Sequence, residues 1–71
     1  MNNVKRKEFA DKIAEMNVSR LNKMLNNLKE ETKLIKEMIY SNQSNDVDED
    51  WKTVRELIIK SDIIEIELEF R

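Results

Sequence analysis

Asp46, Asp48 and Asp50 alternate along the stretch SNQSNDVDED, and alternating carboxylates are how a calcium loop offers hard oxygen ligands. The rest of that chemistry is missing. No Gly is available for the sharp turn, and the twelfth loop position, counted from Asp46, is Leu57 instead of a bidentate Glu. A helix start accounts for the same residues better: Asp46 and Glu49 stand three apart ahead of an apolar stripe, as in a capping box, and negative charge in a first turn complements the helix dipole. Asp48 and Asp50 compete for the cap. Composition narrows the remaining chemistry further, because the chain has no Cys, no His and no Gly. Disulfides, thiolate nucleophiles, the commonest general base and metal ligand, and every Gly-built phosphate loop are thereby removed. Pro is absent too, so chain reversals fall to Asn, Asp and Ser. Carboxylates and lysines remain, on 71 residues, a scaffold too short to enclose a pocket around them. The expectation is a protein that is not an enzyme and takes no cofactor, metal or small-molecule substrate.

Arg20, Asn22, Lys23, Asn26 and Asn27 offer another chemistry, since Arg and Asn read base edges and Lys pairs with phosphate. They belong to FADKIAEMNVSRLNKMLNN, which resembles a helix-turn-helix. In that resemblance Ala14 is the small residue of the first helix, Met16 the apolar residue of the turn, and Leu21, Met24 and Leu25 the buried face of the recognition helix. What it implies is a dimeric DNA-binding regulator using residues 9–27, with those five polar side chains facing DNA. Glu15 stands where the family has Gly in the tight turn.

The elements that must position these groups follow from hydrophobic phase. From Val4 to Tyr40 good helix formers dominate, but one straight helix over 4–40 would be about 55 Å long, more than this domain can cover. Phe9, Ile13 and Met16 share one face, whereas Leu21, Met24, Leu25 and Leu28 cluster about 100° further round. The shift favours a break at MNVSR, with Asn17 in the left-handed conformation and Ser19 as the next N-cap, giving a helical hairpin; the alternative is one long N-terminal helix in a coiled-coil-like dimer. The second stripe runs on through Leu34, Ile35, Met38 and Ile39. An acidic loop over 41–47 leads to a short amphipathic helix over 48–60, where Val47, Trp51, Val54 and Ile58 lay Trp51 against the long helix.

The chain ends in SDIIEIELEFR, where Ile64, Ile66, Leu68 and Phe70 alternate with Glu65, Glu67, Glu69 and Arg71. That period of two predicts a β-strand over 63–70. A hairpin about Lys60–Asp62 would pair it locally, but the turn lacks the Asn-Gly or Asp-Gly chemistry of tight hairpins. The predicted fold class is therefore α+β, mostly α, in one small domain over 1–71, with its C-terminal strand pairing between chains.

A strand without a mate points to partners. Pairing with a second copy gives a homodimer, and pairing with another protein's sheet edge is β-augmentation. Either way Ile64, Ile66, Leu68 and Phe70 would pack at the contact. Glu65, Glu67 and Glu69 would set charge preference, disfavouring their own copies and favouring a basic mate. The charge split is consistent with separate surfaces: residues 1–40 hold nine Lys/Arg against six Asp/Glu, or +3, and residues 41–71 hold four against nine, or −5. It would equally let the halves attract each other. A basic helical half followed by an acidic half ending in a lone strand resembles the layout of small antitoxins of type II toxin–antitoxin pairs, and of small phage or plasmid inhibitors of host enzymes. That resemblance implies a regulator that occupies a partner protein's surface. No apolar run approaches the ~20 residues of a membrane span, and the charged opening MNNVKRKEFADK lacks a signal peptide's apolar stretch, so the expected setting is cytoplasmic.

Overall fold

The computed structural model describes residues 2–71, and among these there are three helices and no strand. Helix α1 spans Asn3–Ala14, α2 Val18–Tyr40 and α3 Val47–Glu69. The fold is all-helical, which overturns the α+β expectation. Residues 63–69 are the last part of α3, with Phe70 as its C-cap, not a strand, and the helix expected to stop at 60 runs on to Glu69. Helical order satisfies the backbone of 63–69 within the segment, so no mate is required.

Each helix starts on a short polar side chain. Asn2 Oδ1 accepts from Lys5 N–H at 2.8 Å, Asn17 Oδ1 from Arg20 N–H at 2.8 Å, and Asp46 Oδ1 from Glu49 N–H at 3.1 Å. These caps fill one orphan donor apiece. The α1–α2 break falls at Glu15–Asn17, but its chemistry differs from the expected one: Asn17 is itself the N-cap, with φ −76°, and Ser19 lies inside α2. The left-handed residue is Asn42, φ 60°, after α2. There Asn42 N–H bonds to Ile39 O at 3.2 Å and Gln43 N–H to Met38 O at 2.9 Å, the paired closure of a Schellman motif, with Asn where Gly is usual. The Ser44 hydroxyl then donates to the Asp50 carboxylate, fastening the loop to the first turn of α3.

Helices α2 and α3 pair as an antiparallel hairpin. Tyr40 stands edge-on to Trp51 at 6.1 Å near the loop, and Lys29 reaches Glu65 at 3.1 Å further down. That ion pair is largely exposed and contributes at most about 1 kcal/mol. Helix α1 runs alongside α3 in the same direction: the Lys60 ammonium lies 5.9 Å from the Phe9 ring centroid, while Arg71 meets the other end of α1. Ile13, Leu21, Leu25 and Ile64 form the buried centre where all three helices meet, with Phe9, Met16, Met24, Leu28, Ile63 and Leu68 packed around it. Towards the loop, Ile39, Val54 and Leu57 are also buried.

The buried line of α3 is Val54, Leu57, Ser61 and Ile64, which is helical spacing with a serine in it. The Ser61 hydroxyl donates to Leu57 O at 2.9 Å, so its polarity is satisfied inside the helix and it can sit in the core. Because a polar residue occupies that place, the period-2 pattern downstream stands out more strongly than the helical one. The acidic α3 lies against two basic helices: Lys and Arg exceed Asp and Glu by two in α1 and by two in α2, whereas acids exceed bases by five in α3. The charge split thus sets acidic α3 beside the two basic helices, with one exposed ion pair, Lys29–Glu65, between them.

Candidate interaction surface

The strand-based contact set comes apart in a helix, where residues two apart point about 200° away from each other. Ile64 is 0% exposed in the core and Leu68 is half-buried beside it, so neither is available to a partner. Glu65 pairs with Lys29, and Glu67 accepts from Arg71 at 3.0 and 3.1 Å. Ile66 is 53% exposed, and Glu69 and Phe70 are exposed at the end of the chain. The seven residues Ile64–Phe70 form no common face.

Arg71 is the unforeseen residue of this region. Its guanidinium donates to Ala14 O at 2.9 Å, to Ile13 O at 3.3 Å and to Met16 O, while held by Glu67. A cation thus sits on the carbonyls at and just past the C-terminus of α1, the negative end of that helix. No local pattern announces a contact between residues 55 to 58 apart in sequence.

The five polar side chains of the helix-turn-helix resemblance, Arg20, Asn22, Lys23, Asn26 and Asn27, are all exposed on α2, with Leu21 and Leu25 buried beneath them and Met24 half-buried. Arg20, Lys23 and Asn27 share a shallow groove with Met24. The acidic alternation at the other end is absorbed locally, with Asp46 capping α3 and Asp50 bound by Ser44. Among the described residues no three metal-ligating side chains converge, and no helix is long and apolar enough to cross a membrane.

A different surface stands out at the loop end of the hairpin. Leu34 is 51% exposed and Met38 43%, one turn apart on α2, in an open groove of ≈ 770 Å³ that also involves Glu37 and Gln43. The α2 stripe is wider than one neighbour can cover. Ile35 and Ile39 take the α3 side, and Leu34 and Met38 are left over. The reason lies in helix lengths: α1, with 12 residues, is about 18 Å long, whereas α2 and α3, with 23 each, are about 35 Å. Met24 and Met38 lie fourteen residues apart, two heptads, hence on one flank of α2. Met24 packs against the core that α1 helps close, and Met38 lies beyond the start of α1. The stripe's excess width was readable in the sequence; which part of it α1 leaves uncovered was not.

No family model matches this chain, and no curated protein or solved structure matches it.

Proposed function

We propose that this protein is a non-catalytic interaction module, a small regulator or inhibitor that works in a cytoplasmic setting by occupying the surface of a partner protein. The observation that carries the reading is the apolar strip of Leu34 and Met38, left open beyond the start of α1. Contiguous exposed apolar surface is where docking sites are found, whereas scattered single apolar side chains need no explanation. The antitoxin and phage-inhibitor layouts had a terminal strand that this chain lacks, so only their mode of action carries over. The test is affinity capture from the native cell with three proteins: wild type, Leu34→Glu/Met38→Glu, and Arg20→Ala/Lys23→Ala. A partner lost only with the Leu34/Met38 variant supports the reading, and a partner held equally by all three overturns it.

A second reading, DNA binding by α2, is favoured by one observation: Arg20, Asn22, Lys23, Asn26 and Asn27 are all exposed directly after the α1–α2 break. It requires salt-sensitive DNA retention that Arg20→Ala and Lys23→Ala remove. A purified protein with no DNA affinity at low salt eliminates it.

A further inference from the structure

The outer side of α3, beside α1, carries a second uncovered surface. Arg6 of α1 and Ile59, Asp62, Ile63 and Ile66 of α3 line a groove of ≈ 180 Å³ between the two helices. Lys60, which lies over the Phe9 ring, marks the side of α3 that faces α1. Moving round α3 away from Lys60 at about 100° per residue, Ile63 comes first, then Ile59 and Ile66, and Asp62 last. The groove therefore has an apolar floor, a basic wall in Arg6 and an acidic wall in Asp62. Both charged residues are exposed, and among the described residues neither forms an ion pair.

Scattered apolar exposure is ordinary, but these isoleucines belong to a row. Ile59, Ile63, Ile66 and Phe70 are spaced by four, three and four, which is the spacing of a coiled-coil seam. Ile59 and Ile63 are half-buried, whereas Ile66 is 53% exposed and Phe70 84%. Helix α2 holds α3 from its Glu65 side and α1 from its Lys60 side, so Ile66 and Phe70 are left without a covering helix.

The charges of the groove identify its occupant, because a groove with one wall of each sign is complementary to itself. We infer that this row packs against the same row of a second copy, the two α3 helices parallel about a two-fold axis that runs along the groove. That axis turns the acidic wall of each copy towards the basic wall of the other, so Arg6 meets the partner's Asp62 and the pair occurs twice. An antiparallel two-fold would instead set like walls together, Asp62 on Asp62 and Arg6 on Arg6, and repulsion would oppose it. The core of Ile13, Leu21, Leu25 and Ile64 closes within one chain, so the contact joins two folded chains. A contact this small should hold with a Kd of about 10–100 μM. It lies apart from Leu34 and Met38, and it stands or falls independently of the interaction reading above.

Sedimentation equilibrium of the whole chain from about 10 μM to about 1 mM spans that Kd and tests the inference. The average mass of wild type should rise over this range from one chain towards two. Ile66→Glu places two like charges in the seam and should stay monomeric throughout, with circular dichroism unchanged. Arg6→Asp and Asp62→Arg should each weaken the dimer about tenfold, because each reverses both exposed pairs. An equimolar mixture of these two variants should regain wild-type affinity, since an all-acidic groove then meets an all-basic one. A wild type still monomeric at about 1 mM, or a dimer that survives Ile66→Glu, overturns the inference. Charge reversals that leave affinity unchanged overturn it in favour of the antiparallel arrangement, and a mixture no tighter than its components removes the pairing altogether. A dimer broken by Leu34→Glu/Met38→Glu but not by Ile66→Glu overturns it in favour of the other strip. Should Ile66→Glu fail to fold, the reversals at the exposed Arg6 and Asp62 decide the matter.

Discussion

Ile64 and Ile66 offer the most direct trial of the C-terminal architecture, because a strand would place them on one face and the helix places them on nearly opposite sides. Ile64→Ala removes three buried carbons from a side chain with 0% exposure, about 2.4 kcal/mol at ~0.8 kcal/mol per carbon. The site lies where Ile13, Leu21 and Leu25 converge, so collapse is restrained on three sides and a cavity contribution raises the cost to about 3–4 kcal/mol. Ile66 is 53% exposed, so the same truncation there costs about 1 kcal/mol or less. A 71-residue domain has about 4–11 kcal/mol in total, so the first variant loses about a third or more of its stability, and nearly all of it at the low end of that range, while the second stays nearly normal. Urea melts followed by far-ultraviolet circular dichroism measure both. With a slope near ~1 kcal/mol/M, the Ile64→Ala midpoint should fall by about 3 M and the Ile66→Ala midpoint by about 1 M. Should Ile64→Ala leave too little folded protein to measure, Ile64→Val, at about 0.5–1.5 kcal/mol, supplies the graded comparison. Similar losses at the two sites would refute the helical placement of this segment.

Two further outcomes follow from single contacts. Arg71→Ala should cost about 1–2 kcal/mol, because a charge-assisted cap on three carbonyls is removed, and amide hydrogen exchange should quicken over Ile13–Asn17 while α3 above Ser61 stays protected; unchanged exchange at that corner would rule the clamp out. Asn17→Ala deletes the cap of α2 and should lower stability by about 1 kcal/mol, as read from the thermal midpoint, with Asn17→Asp retaining most of it.

The helix starts and the end of α2 were largely legible, for local reasons, whereas the end of α3 was not: the pattern placed it near 60 and the helix runs on to Glu69. Asp46 three residues before Glu49 and the polar cluster after Tyr40 are cues that act within a few residues. The phase shift between Ile13 and Leu21 likewise exposed the α1–α2 break, although Asn17 caps α2 instead of closing α1. The candidate surface was half visible: Leu34, Ile35, Met38 and Ile39 make an apolar stripe too broad for one neighbour, yet nothing nearby in sequence says that α1 stops short of it.

The sequence alone determined, to within a residue or two, where the helices begin, and that these 71 residues offer no His, Cys or Gly. The tertiary structure decided the state of residues 63–69. Ile64, Ile66 and Leu68 satisfy period two, while Leu57, Ser61, Ile64 and Leu68 satisfy the helical period, and residue types alone do not choose between them. The choice falls to burial. As a helix, α3 places Leu57, Ile64 and Leu68 against neighbours that this chain provides in α1 and α2, and it closes its own backbone hydrogen bonds; a strand would have needed a mate that the described residues do not contain.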